Sequence, residues 1–96
     1  MTIREIAQKV TPLLKEHRVI RASIFGSVAR GEDTSGSDVD MLIEVSRPHS
    51  LVQFVALKRG LETSLNKPVD LVEYGAIKPA FADDILKDAT VIYENR

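Results

Sequence analysis

Apolar residues open the chain at helical spacing: Ile3, Ile6, Ala7, Val10, Leu13 and Leu14 share one face of a 3.6-residue period. Thr2 and Glu5 stand at the two positions of a capping box, which predicts a helix starting at Ile3. Pro12 is expected to interrupt or kink that helix, because its ring removes a backbone donor. The pattern then changes period. Val19–Phe25 is rich in β-branched and aromatic residues and predicts a strand that Gly26 ends. A short helical turn over 27–30 and a turn-rich stretch over 31–36 follow. Val39–Val45 predicts a second strand, apolar except for Asp40 and Glu44. After a loop over 46–49, Ser50 and Gln53 form a second capping box. The helix they start carries a broad apolar face of Val52, Phe54, Val55, Leu57, Leu61 and Leu65, and Asn66 with Pro68 stops it. Val69–Glu73 predicts a short buried strand. Pro79 opens a last helix over 79–87, with Phe81 and Ile85 one turn apart, and 90–93 predicts a final small strand. The alternation implies an α/β (α+β) fold, helices packed on one small mixed β-sheet.

Length places these elements in one domain over residues 1–96. The chain has no cysteine, which excludes disulfides and thiolate metal sites and fits a reducing compartment. Met1-Thr2-Ile3-Arg4-Glu5 lacks the apolar core of a signal peptide, and no apolar run reaches membrane-spanning length, so a cytoplasmic protein is expected. Charge narrows the partners. With 13 basic and 14 acidic side chains the formal net charge is -1, without the basic excess that displaces counterions from long DNA or RNA. A compact anion such as a nucleotide remains compatible, since a metal ion and a few N–H groups can neutralise it locally.

The candidate chemistry lies at strand ends. Asp38 and Asp40 alternate with Val39, so both carboxylates project to one side while Val39 points to the opposite layer. Two adjacent carboxylates raise each other's pKa unless a cation lies between them. All-oxygen ligands without nearby Cys or His suit Mg²⁺ or Mn²⁺. Asp70 is a third carboxylate, set in the otherwise apolar run Val69-Asp70-Leu71-Val72. If the second and third strands form a parallel crossover, they start at one edge and Asp70 falls beside Asp38 and Asp40. An aspartate on an edge strand facing water is the competing reading of Asp70. Gly26 and Ser27 follow the first strand, where a glycine admits close approach of backbone to phosphate and the serine adds a donor. If the first two strands are antiparallel, this cradle and the carboxylates share one rim. Arg30 is a candidate phosphate contact, with a solvated charge after the short helix as the alternative. His17, His49, Tyr74 and Tyr93 read as helix-end, exposed or packing residues.

Gly26-Ser27-Val28-Ala29-Arg30-Gly31-Glu32 followed by Ser37-Asp38-Val39-Asp40 resembles the signature of the DNA polymerase beta-like nucleotidyltransferases, a Gly-Ser pair and then Asp-x-Asp after about ten residues. The short length and the Ala-Arg-Gly-Glu wording resemble its minimal nucleotidyltransferase (MNT) branch, the antitoxins of HEPN toxin pairs. The resemblance implies a palm-like core and transfer of AMP from ATP in the presence of Mg²⁺. It implies that Gly26 and Ser27 hold the triphosphate, that Asp38 and Asp40 bind metal, and that Asp70 is a third ligand or general base. It also implies a HEPN-type RNase toxin as partner in a hetero-oligomer, with a tyrosine of the toxin as acceptor. Transfer to a small molecule of aminoglycoside type, and neutralisation of a toxin by binding without catalysis, are the two alternatives.

Overall fold

The computed structural model describes residues 1–95, in the order α1 (Ile3–Glu16), β1 (Val19–Phe25), α2 (Gly26–Arg30), β2 (Val39–Val45), α3 (Leu51–Leu65), β3 (Val69–Glu73), a 3₁₀ turn (Tyr74–Ala76), α4 (Pro79–Asp88) and β4 (Thr90–Glu94). Both capping boxes form. The Glu5 backbone N–H donates to Thr2 Oγ1 at 3.1 Å, and the Gln53 backbone N–H donates to Ser50 Oγ at 3.2 Å. These side chains satisfy N–H groups that a first helical turn leaves without partners.

α1 runs unbroken through Pro12, contrary to the expected interruption. The proline removes the donor for the carbonyl of Gln8, and both residues lie on the exposed side, where water can serve that carbonyl. Immediately before them in the chain, the Thr11 hydroxyl donates to the Ala7 carbonyl.

Four strands form a mixed sheet in the order β3-β2-β1-β4. β1 is antiparallel to both β2 and β4, and β2 is parallel to β3 through α3, a strand–helix–strand crossover. Alternation sorts the side chains. Val39, Met41 and Ile43 of β2 join Ala22, Ile24, Val69, Leu71 and Tyr93 in a core closed by Ile6, Val10 and Leu14 of α1 and Leu57, Leu61 and Leu65 of α3. α1 and α3 approach closely, since a Cβ on Gly60 would lie 2.7 Å from Leu13 Cδ2.

The apolar face of α3 is narrower than its composition suggests. Leu57, Leu61 and Leu65 are buried, but Val52 is 79% exposed and Val55 37%. At about 100° per residue, Val52 falls nearly opposite the line through Leu57, Leu61 and Leu65. The second face of the sheet carries Asp40, Leu42 and Glu44 from β2, beside Ser23 of β1. Among the described residues, no helix is long and apolar enough to cross a membrane.

Candidate active site

The rim at the start of β2 is assembled by the sheet itself. The antiparallel register sets Phe25, the last residue of β1, opposite Asp40, and the parallel register sets Asp40 opposite Asp70. The backbone N–H of Val39 donates to the Pro68 carbonyl at 3.0 Å, aligning the beginnings of β2 and β3. Val39 is fully buried on the opposite side. The parallel pairing on which the placement of Asp70 depends is therefore present, and so is the antiparallel pairing that puts Gly26 and Ser27 on the same rim.

Gly26 follows directly, with φ at +72°, in the left-handed region that other residues rarely adopt. A Cβ there would overlap Asp40 Oδ2 and lie 3.0 Å from Asp40 Cγ. The missing side chain thus leaves room for the Asp40 carboxylate itself. Phe25, at the N-cap of α2, makes no capping hydrogen bond with its side chain, so the first N–H groups of the turn are left uncapped from that side. Ser27 is half-buried in that first turn.

The loop that delivers Asp38 is tied at several points. Gly31 closes α2 in the left-handed conformation, and the Glu32 N–H donates to the Ser27 carbonyl at 2.8 Å. The Thr34 N–H donates to Ser37 Oγ at 2.9 Å, and Lys67 Nζ donates to the Ser35 carbonyl at 3.3 Å.

Asp40 is the perturbed carboxyl of the site. Burial pushes its carboxyl above the ordinary value, the negative charges of Asp70 and Asp38 push the same way, and Arg30 opposes them. Asp38 and Asp70 are exposed. Among the described residues, no three His, Cys, Asp or Glu side chains are arranged to hold a metal ion by themselves. Mutual repulsion favours such an open arrangement, and it fits the habits of Mg²⁺, which takes one or two carboxylates and fills its remaining positions with phosphate oxygens and water. The all-oxygen donor set suits a hard cation, which would relieve the repulsion that Asp70 and Asp38 impose on Asp40.

Arg30 is engaged within the protein. Its Nε lies 2.6 Å from Glu32 Oε1 and its Nη1 2.8 Å from Asp88 Oδ2, at the end of α4. It stands near enough to Asp40 to stabilise the ionised carboxylate. The sequence motif around Arg30 does not mark Glu32 or Asp88 as its partners. Asp88 lies 58 residues downstream of Arg30, and no local pattern joins the two.

The model of the family "Polymerase beta, Nucleotidyltransferase" matches residues 8–96. The chain belongs to this family. The nucleotidyltransferase is 47% identical over 89 residues to a "putative protein adenylyltransferase" of Methanocaldococcus jannaschii, an alignment covering 93% of this chain and 96% of the relative. It is 34% identical over 96 residues to the protein adenylyltransferase MntA of Thermococcus cleftensis, covering 96% and 97%. In fold it matches a chain from the structure of a tri-AMPylated Shewanella oneidensis HEPN toxin in complex with an MNT antitoxin. That match has a TM-score of 0.77 at 16% identity and covers 98% of this nucleotidyltransferase and 74% of that chain. The resemblance in the motifs and the family match agree.

Proposed function

We propose that residues 1–96 act as one cytoplasmic nucleotidyltransferase domain that moves AMP from ATP onto a hydroxyl of a partner protein, a HEPN-type RNase toxin, and so serves as its antitoxin. The observation that carries this reading is the row Gly26, Asp40, Asp70, in which a glycine packed against the Asp40 carboxylate at the end of β1 adjoins carboxylates in register on β2 and β3. Near-complete alignment with relatives named as protein adenylyltransferases supports a protein acceptor.

In this reading Gly26 and Ser27 receive the triphosphate by N–H and O–H donation, and Arg30 supplies positive charge from its place between Glu32 and Asp88. Asp38 and Asp40 would hold Mg²⁺. What Mg²⁺ supplies when bound is neutralisation of the phosphate charge and of the departing pyrophosphate. The acceptor oxygen, a tyrosine hydroxyl on the toxin, forms a new bond to the α-phosphorus as the bond to the β-phosphate oxygen breaks. Asp70 is exposed beside Asp40, and its carboxylate oxygen takes the acceptor proton. Bulky AMP with its phosphodiester charge on that tyrosine obstructs RNA and repels RNA phosphates.

Intact-mass measurement of the co-expressed partner tests the reading. AMP increments are expected with the wild-type chain and none with Asp38→Asn. An unmodified partner that Asp38→Asn still neutralises would make this chain an antitoxin that works by contact. Ser27→Ala is expected to fold normally. Loss of one hydrogen bond to a charged oxygen raises KM for ATP about tenfold to a hundredfold. Unchanged kinetics at subsaturating ATP would leave Ser27 as a turn residue only.

A further inference from the structure

At the other end of the sheet, roughly 20 Å from Asp40 by the rise of β2, the end of α1 and the loop into α3 enclose a cleft of about 540 Å³. Its wall includes His17, Arg18, Ser46, Arg47, His49 and Gln53. Several departures from what folding alone favours meet there. Arg18 sits in the left-handed region at φ +58°, a strained conformation for a residue with a side chain. Neither Arg18 nor Arg47 makes an ion pair among the described residues, whereas Arg21 and Arg30 both do. His49 Nε2 lies 3.2 Å from the His17 carbonyl oxygen, while its Nδ1 is buried without a hydrogen-bond partner among the described residues. The 15-residue α3 begins at the same place, with Gln53 in its first turn, and presents its positive dipole end. Glu16 and Arg18 line the adjoining part of the cleft and Arg47 the main part, so the lining carries two guanidinium groups and one carboxylate.

We propose that this cleft binds the phosphate group of a small organic phosphate, a nucleoside monophosphate in size, at a site separate from the carboxylate rim. Two guanidinium forks outnumber the single carboxylate of Glu16 and match phosphate geometry, and phosphate oxygens accept from both. The volume lies in the range of small-molecule pockets, about 300–1,000 Å³, far more than a bare phosphate fills. The net charge of -1 disfavours a polynucleotide as occupant. Nothing in this assignment depends on the transfer reaction at the other end.

Amide chemical-shift mapping of the whole chain in EDTA, with AMP as the probe and adenosine as its phosphate-free control, tests the site. Saturable shifts are expected at Arg18, Ser46, His49 and Gln53 with AMP and not with adenosine. Arg18→Gly removes a guanidinium while suiting the left-handed backbone, and Arg47→Gln keeps a polar side chain on the loop. Each is expected to weaken AMP binding about tenfold to a hundredfold, and Arg59→Ala, on the outer side of α3, is expected to leave it unchanged. Shifts confined to the rim from Gly26 to Asp40 would overturn the proposal. So would equal binding of adenosine, undiminished AMP binding in both variants, or shifts at the cleft with a short single-stranded RNA and none with AMP.

Discussion

Asp40→Asn is expected to abolish nucleotide transfer and yet to make the metal-free protein more resistant to unfolding at neutral pH. The two effects share one cause. The Asp40 carboxyl is pushed upward by burial first and by the charges of Asp70 and Asp38 next. A carboxyl whose folded pKa exceeds its unfolded one binds more protons in the folded state. Its contribution to stability is therefore complete below the ordinary carboxylate range and is lost as pH rises through the raised value. Asparagine cannot ionise, so the gain over wild type opens as pH rises through that range and closes in acid. Activity moves the other way. Groups that only support a metal ligand are worth ten- to a hundredfold, so losing the ligand costs at least about a hundredfold. Thermal unfolding with and without Mg²⁺ and ATP checks both halves. The additives are expected to stabilise wild type more than Asp40→Asn. A mutant less stable than wild type at pH 7 without metal, or one stabilised equally by Mg²⁺ and ATP, would remove Asp40 from the metal site.

Much of this arrangement is legible in the residues because strand alternation is strict. Val39 between two aspartates shows which way each must point, and an aspartate within Val69–Glu73 marks the start of a strand that needs a reason for its charge. The parallel pairing of β2 with β3 follows from the 15-residue helix between them, which a hairpin would not require. Other features depend on contacts that no local pattern encodes. The placement of β4 against β1 at the sheet edge is a choice among neighbours that short strands leave open. Glu62 reaches out of α3 to accept the Val69 N–H at 3.0 Å, tying the helix to the start of β3, although its position reads as solvated helix surface. Arg30 reads as a free cation until α4 brings Asp88 to it. Hydrophobicity alone assigns Val52 and Val55 to the broad apolar face of α3, beside the core stripe of Leu57, Leu61 and Leu65. The angular positions of the two valines around α3 place them outside the core.

Gly26→Ala is expected to damage catalysis far more than stability. Two effects act at this position and they can be separated. The left-handed backbone, φ +72°, costs an alanine about 1–2 kcal/mol. The added Cβ also collides with the Asp40 carboxylate, lying 3.0 Å from Cγ and 3.3 Å from Cβ even after the overlap with Oδ2 is set aside. The aspartate is the softer partner, so its side chain moves, and Asp40 is the group whose position the reaction needs. A displacement of about 1 Å in a reacting constellation is worth roughly a hundredfold in rate. The double variant Gly26→Ala with Asp40→Ala separates the causes. Without the carboxylate only the backbone strain and a weak Cβ contact remain, so Gly26→Ala is expected to destabilise the Asp40→Ala protein less than the wild type. That coupling is what neighbours sharing one space should show. An equal penalty in both backgrounds would mean that glycine is required for its backbone alone. The contact with Asp40 would then have no part in the choice of glycine.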